Sequence, residues 1–271
     1  MSRLPSLLAP LLACSTLLLT GAPSHQAPQT SSPASPAFTP QSPAADATGL
    51  LDEILARLAA APSAHGPGIQ WLAMNLWQKM GDGENSFEAH GRLVRGPRNR
   101  LRLEMSLRAQ TTVKLLQVCD GATFWESLRI GADKPVRSLY PVPQTAPDQQ
   151  RFLEEKTLAD LRPLFERIRA GLRNPVQQRG VWQHVQAVRI MGDWKPNDSI
   201  PCELRTPLRP RACHVYLEAH TRWPFRIEWW GGERPSDPPT LLLEIEFRDV
   251  VINQPPSPEE VARLFASPAA D

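Results

Sequence analysis

The stretch Leu241–Phe265, LLLEIEFRDVVINQPPSPEEVARLF, decides the fold class of this chain. In its first half every second residue is apolar, at Leu241, Leu243, Ile245 and Phe247, and most of the residues between them are charged. Because successive side chains of a strand point to opposite faces, this pattern predicts a strand with one buried face and one solvated face.

The second half of the stretch predicts a short terminal helix. A double proline ends the strand, because proline cannot donate to a strand ladder. Ser257 can cap the helix, Pro258 suits its first position, and Glu260 completes a capping box. A one-faced sheet that is followed by such a helix indicates an α+β protein.

The N-terminal residues predict an exported protein. Arg3 precedes an apolar run over residues 4–19 and small residues follow, so residues 1–22 are typical of an export signal. The run is too short and too interrupted by proline to span a bilayer comfortably. Residues 11–14, LLAC, also resemble a bacterial lipoprotein box, in which Cys14 would carry a lipid. The sequence leaves this acylation open and places the chain in the periplasm or cell envelope, with or without a lipid anchor.

The next segment predicts a tether. Residues 23–46 are rich in Pro, Ser, Ala, Thr and Gln, and such a composition cannot bury enough surface to offset its chain entropy. We therefore expect a disordered tether over residues 23–46 and one folded domain over residues 47–271.

Charge gives no argument for nucleic acid as a partner. The chain has 30 basic and 28 acidic residues, a net charge of +2. The basic residues are interleaved with acids along the predicted strands, which indicates solvated faces rather than a phosphate-binding stripe.

Short turns separate the predicted strands between residues 69 and 140, which is typical of an antiparallel meander. Val113–Cys119 and Thr123–Ile130, for example, are joined by Asp120-Gly121, a strong hairpin signal. Apolar residues then recur at helical spacing over residues 148–172, where Pro163 predicts a kink or two abutting helices. Strands resume afterwards. We expect one large curved antiparallel sheet with helices.

Cys202 and Cys213 flank a segment with a proline at its centre, and an exported chain meets an oxidising compartment. A disulfide between them is one interpretation, and two unpaired structural thiols are the other. Cys119 lacks an obvious partner and is expected to be a small buried apolar residue.

The sequence contains no recognised catalytic, metal-binding or nucleotide-binding motif. The six histidines form neither HxxxH nor HExxH, and no GxSxG elbow, P-loop or GxGxxG is present. Cys213, His214 and His220 come closest to a metal cluster but lack a second ligand pair. We expect a non-enzymatic protein without catalytic residues, metal or cofactor.

The aromatic composition suggests either a well-filled core or an apolar cavity. Eight tryptophans stand against two tyrosines, and most of them lie on predicted strands. A curved sheet lined with such residues encloses a plug or a ligand. The candidate ligand-contacting residues are Trp71, Trp77, Leu103, Met105, Trp125, Ile227, Trp229, Leu243, Ile245 and Phe247.

Four segments, in their order and spacing, carry a family resemblance over residues 48–266. They are GLLDEILARLAA (49–60), GRLVRGP (91–97), VCDGATFW (118–125) and IEFRDVVIN (245–253). Together they resemble the bacterial outer-membrane lipoprotein-sorting carrier family, the LolA-like half-barrels. The resemblance implies an antiparallel half-barrel closed by helices on its concave side, with an apolar concave face that holds acyl chains. Arg95 is the nearest match to the family's basic cargo-transfer residue, although Gly96 separates it from Pro97.

Three functional hypotheses follow. The first is a monomeric envelope protein that binds or carries an apolar ligand, with lipid or lipoprotein acyl chains as its partners. The alternative is a structural or interaction module, with its barrel plugged by helices and with membrane-surface proteins as partners. A hydrolase with an unrecognised constellation would need a role for His184 or His214, and is the weakest of the three.

Overall fold

A computed structural model of the chain describes residues 38–40, 45–59, 68–81, 87–108, 111–157, 161–195, 209–232, 236 and 238–268. The predicted export signal, Cys14 and Cys202 lie outside these residues, and so does most of the predicted tether.

The described strands form one antiparallel sheet of twelve. They are β1 Phe38–Pro40, β2 Leu72–Met80, β3 Phe87–Gly96, β4 Arg100–Arg108, β5 Val113–Cys119, β6 Thr123–Ile130, β7 Val136–Pro141, β8 Leu172–Trp182, β9 Val185–Trp194, β10 Arg209–Glu218, β11 Pro224–Gly232 and β12 Thr240–Ile252. Their order in the sheet is β1-β8-β9-β10-β11-β12-β2-β3-β4-β5-β6-β7. The sheet is not closed, since β1 and β7 are its edges, and it fits the predicted half-barrel.

Four helices accompany the sheet in the described part of the chain: α1 Ala45–Ala59, α2 Ala146–Lys156, α3 Leu161–Gly171 and α4 Pro258–Leu264. Two of them occupy the region where helical spacing predicted one kinked or two abutting helices. Pro163 lies in the first turn of α3, where backbone N–H groups have no intrahelical partner, so the proline costs no hydrogen bond there. None of the described helices is long and apolar enough to cross a membrane.

The predicted hairpin between β5 and β6 is confirmed. Asp120 caps the turn, because its Oδ1 accepts hydrogen bonds from the backbone N–H groups of Ala122 and Thr123, both at 2.8 Å. Gly121 has a φ of 104°, a conformation that favours glycine. The first strand was not foreseen, since Phe38–Pro40 lies within the predicted tether and pairs with β8.

The strand registers divide the side chains between two faces of the sheet. Leu243 and Phe247 of β12 lie opposite Met80 and Leu76 of β2. These residues belong to the main buried cluster, which also contains side chains of α1 and α3. We call this side of the sheet the α1/α3 face.

The terminal helix α4 lies on the other side, which we call the α4 face. Its predicted start is confirmed, since Ser257 is the N-cap and its Oγ accepts a hydrogen bond from the Glu260 backbone N–H at 3.2 Å. Leu264 and Phe265 form a second buried cluster with Val94 and with the partly buried Trp71 and Ala73. The sheet is therefore covered on both faces near the start of β2.

Candidate functional site

Seven of the ten candidate ligand residues lie together on the α1/α3 face. Leu103, Ile227, Trp229, Leu243 and Phe247 are at most 3% exposed. Met105 and Ile245 are partly buried against the same cluster. The predicted apolar face is confirmed for Leu243, Ile245 and Phe247, which belong to one continuous apolar surface. It is wrong for Leu241, because a register shift between Trp229 and Trp230 places Leu241 opposite Trp230, and Leu242 joins the buried cluster instead.

Helix side chains share this buried cluster. Leu51 and Ile54 of α1 are each 1% exposed, and Phe165 and Ile168 of α3 are each 0% exposed. In both helices the two residues are three positions apart, so they lie on one helical face. The apolar surface of these strands is thus in contact with helices.

Trp229 introduces a polar group into this cluster. Its ring lies edge-on to that of Trp194, with the centroids 5.9 Å apart. Its indole Nε1, a donor only, is buried and has no hydrogen-bond partner within the described part of the chain. An unpaired donor in an apolar cluster is uncommon, because burying it without an acceptor costs free energy.

The other three candidate residues lie on the α4 face. Trp71 packs against Phe265, with the ring centroids 6.4 Å apart. Trp77 is directly opposite His90, and Trp125 is directly opposite Val118. The hypothesis of one tryptophan-lined face is not supported, because strand parity places these rings on the opposite side from Trp229.

The remaining predicted site residues are dispersed. Arg95 lies near the end of β3, opposite Leu72 and Leu101. Cys213 is buried and is a free thiol, and burial raises its pKa well above the ordinary value. Since Cys202 lies outside the described residues, the predicted disulfide has no support in the structure. Cys119 is buried and free, as expected of a small apolar residue.

A buried ionic cluster occupies the α4 face of β10, β11 and β12. The Arg226 guanidinium contacts three carboxylates, with Nε 2.6 Å from Glu228 Oε1, Nη1 2.6 Å from Glu246 Oε1, and Glu244 beside them. The same guanidinium lies over the Trp182 ring, 4.5 Å from its centroid. Arg226 is thus shared by three acids, one of which, Glu246, also pairs with Arg248.

Donors from neighbouring strands hold Glu228 in this cluster. The Tyr216 hydroxyl and the Trp230 indole N–H each donate to its Oε2 at 2.9 Å. Burial opposes the ionisation of Glu228, but the neighbouring His214 and the charge and hydrogen bond of Arg226 outweigh it and lower its pKa to about 2.

Glu244 shifts in the opposite direction. Burial raises its pKa to about 7, and the neighbouring Glu246 adds to this rise, although the Arg226 charge opposes it. Glu244 lies directly opposite Glu228 across β11 and β12, so the two carboxylates face each other. The cluster therefore holds one firmly ionised acid beside one that exchanges a proton near neutrality.

A groove of about 930 Å³ runs along the α4 face over β2–β6 and the start of β7. Trp77 and Leu116 give it an apolar part. Two acids, Glu104 and Asp249, contribute to its lining. Its basic residues are Arg92, Arg102, Lys114, Arg129, Arg137 and Arg248, with His90 beside them.

Sequence reasoning missed both features of the α4 face. It assigned the groove cations to solvated faces because acids alternate with them along each strand. The signal that could have found the groove is parity across strands, since Lys114 lies directly opposite Arg129. The ionic cluster had no signal within any one segment, because its charges come from different strands.

Among the described residues, no group of three or more His, Cys, Asp or Glu side chains is arranged to hold a metal ion. His214 approaches Glu228, with Nδ1 3.5 Å from Oε2, and does not join a metal cluster with Cys213 and His220.

No protein-family model and no curated protein matches the chain. Similar solved structures include the complex of Pseudomonas aeruginosa MucA and MucB, at 14% identity and a TM-score of 0.37, over 80% of this chain and 60% of that chain. A structure of MucB with MucA(peri) has 13% identity and a TM-score of 0.34, over 80% and 58%. A DUF1329 family protein from Desulfovibrio piger has 7% identity and a TM-score of 0.32, over 83% and 100%. This chain spans less than two thirds of the two MucB-complex chains, and likenesses this low carry no conclusion about fold family or function.

Proposed function

We propose that this chain is a non-enzymatic interaction module of the cell envelope, whose half-barrel is closed on its concave side by α1 and α3. The observation that carries the proposal is the burial of helix and sheet side chains in one cluster. Phe165 and Trp229, from the two layers, are each 0% exposed. Residues 1–22 supply the export signal on which the envelope location depends.

The buried helices favour a plug over an open ligand cavity. Complete burial of an apolar side chain stabilises the fold by about 1.5–3 kcal/mol. Four helix side chains are buried in this way, Leu51, Ile54, Phe165 and Ile168. An acyl chain that entered this face would have to displace those contacts. Such a displacement costs several kcal/mol, so binding of partners through another surface requires less rearrangement.

A specific observation favours a second candidate, the carrier of an acyl ligand. The unpaired Trp229 indole N–H lies within the apolar cluster and would be satisfied by the carbonyl of an ester or carboxyl head group. This function requires α3 to leave the sheet when the ligand enters.

Native mass spectrometry of the mature chain, purified from envelopes without denaturant, separates the two candidates. The interaction module predicts the protein mass without a stoichiometric lipid, and unchanged tryptophan emission when a dansyl-labelled fatty acid is added. A stoichiometric acyl lipid, or saturable quenching of tryptophan emission, would support the carrier instead.

Lysine-reactive cross-linking of intact cells supplies the positive test. The interaction module predicts one discrete higher-mass species that contains this chain and a second envelope protein. A chain that stays monomeric in cells and carries no lipid would contradict both candidates and reopen the search for an enzymatic function.

A further inference from the structure

The groove on the α4 face carries more positive charge than its acids neutralise. Its two acids are already engaged, since Glu104 Oε1 accepts from Arg102 Nε at 2.6 Å and Asp249 Oδ2 accepts from Asn75 Nδ2 at 2.8 Å. Arg248 is paired outside the lining, with Glu246. Among the described residues no ion pair involves three of the other lining cations, Arg92, Lys114 and Arg129.

Two of these cations are direct cross-strand neighbours. Lys114 of β5 lies opposite Arg129 of β6, and both project to the α4 face. Like charges directly opposite each other destabilise a sheet, so this pair costs stability in the isolated chain. Arg137 on the next strand extends the same basic corner. An anionic group between these side chains would convert the repulsion into attraction.

The groove also offers an apolar contact. Trp77 and Leu116 are half-buried in its lining, and the Arg248 guanidinium lies 5.3 Å from the centroid of the Trp77 ring. A ligand that combines carboxylates with an apolar side chain would therefore meet complementary groups at both parts of the groove.

The position of the groove determines how an occupant is recognised. Its main part, over β2–β6, lies on interior strands whose backbone groups are paired with the strands on either side, so strand addition is not available there. Recognition must come from side chains. A volume of about 930 Å³ is at the upper end of the range for small-molecule sites and accommodates a short peptide. Cations that line a groove reach an inserted chain better than a flat lipid surface.

We infer that this groove is the docking site for an acidic, partly apolar segment of a partner polypeptide. The inference rests on the proposed role as an interaction module and gives that role its surface. Aspartate and glutamate carboxylates bind Arg92, Lys114 and Arg129, and an apolar side chain packs on Trp77.

The test uses the full mature chain and a fluorescein-labelled peptide of alternating glutamate and leucine, followed by anisotropy. Binding is expected to weaken steeply as salt rises above about 0.15 M, because exposed charges are screened. The double charge reversal Lys114→Glu with Arg129→Glu should weaken binding at least about tenfold. The matched peptide with glutamine in place of glutamate should not bind.

The control variant reverses two exposed cations outside the groove, Arg167→Glu with Arg173→Glu, and has the same change in net charge. It should bind the peptide as the wild type does. Urea unfolding of both variants checks folding, and the groove variant should keep about the wild-type midpoint, because one cross-strand pair of like charges is replaced by another of opposite sign.

Three outcomes would overturn the inference. They are equal binding by both double variants, no binding of the acidic peptide by the wild type, and binding to phosphatidylglycerol vesicles without binding to the peptide. If the chain forms a complex with an envelope protein in cells but does not bind the acidic peptide, the proposed interaction module is retained and only the groove as its docking site is refuted. A chain that carries a stoichiometric lipid and still binds the peptide refutes the interaction module alone.

Discussion

Substitution of Phe165 by alanine is the sharpest perturbation of the layer between α3 and the sheet. Phe165 is 0% exposed and belongs to the main buried cluster together with Ile168 and Trp229. A buried phenylalanine replaced by alanine loses its transfer free energy and leaves a cavity, which together cost about 3–5 kcal/mol. We expect a loss of this size, because side chains from two layers surround the site.

Urea unfolding followed by tryptophan emission measures this loss. With m-values of about 1–3 kcal/mol/M, the midpoint should fall by at least about 1 M while m stays the same. Arg167→Ala on the same helix is the matched control, since Arg167 is exposed. It should change the stability by no more than about 0.5 kcal/mol.

An unchanged midpoint for Phe165→Ala would show that α3 is not a permanent plug, since a plug must contribute to global stability. A local effect would have a different signature. If α3 were a lid, the variant would keep the wild-type midpoint but gain binding of a dansyl-labelled fatty acid.

Three further predictions concern the rest of the fold. Glu244 has a pKa of about 7 in the folded chain and near 4.5 in the unfolded chain, so the free energy of unfolding should fall as the pH rises from about 4.5 to 7. The urea midpoint of the wild type should therefore be lower at about pH 8 than at about pH 5, and Glu244→Gln should reduce this difference. Ser257→Ala removes the N-cap of α4 and should cost about 1 kcal/mol, visible as a lower thermal midpoint, whereas an unchanged midpoint would mean that the cap is not formed in solution. Gly231→Ala should disrupt folding, because its Cβ would overlap a backbone carbonyl oxygen of β10. Gly49→Ala in α1 meets open space and should stabilise the chain by about 0.5–1 kcal/mol. Equal circular dichroism spectra and equal unfolding midpoints for the two variants would contradict this prediction.

Much of the secondary structure could be predicted from local sequence patterns, because such patterns depend on local geometry. The alternation over β12 identified a strand with an apolar face at Leu243, Ile245 and Phe247, and Ser257 with Glu260 located the start of α4. The prediction that the other face of β12 is solvated was wrong, because Glu244 is buried there. The Asp120-Gly121 turn fixed the boundaries of β5 and β6. Each of these signals lies within a few residues, so no knowledge of the strand order was needed.

Features that depend on the strand order could not be predicted. β12 lies beside β2 and β1 lies beside β8, so neighbours in the sheet are distant in the sequence. The cluster around Arg226 joins charges of β11 and β12 with donors of β10, and no segment contains them all. Trp77 and Trp229 were grouped by residue type, although their faces are set by parity and register.

The placement of the helices was only half predictable. Helical spacing over residues 148–172 indicated helix, and Pro163 predicted a kink or two abutting helices within it, where the structure has α2 and α3. Near the end of β12, before the chain reaches α4, the register shifts between Arg248 and Val251. An irregularity of this kind has no pattern in the sequence.

Hydrogen exchange of α3 relative to the sheet tests directly whether α3 is a permanent plug, because it reports whether the helix leaves the apolar face in the native state. If α3 is a permanent plug, backbone amides in its middle, around Phe165, exchange only through global unfolding, with the same protection free energy as those of β11 around Ile227. Fast exchange of α3 while β11 stays protected would contradict it, since α3 would then be a lid over an apolar ligand site.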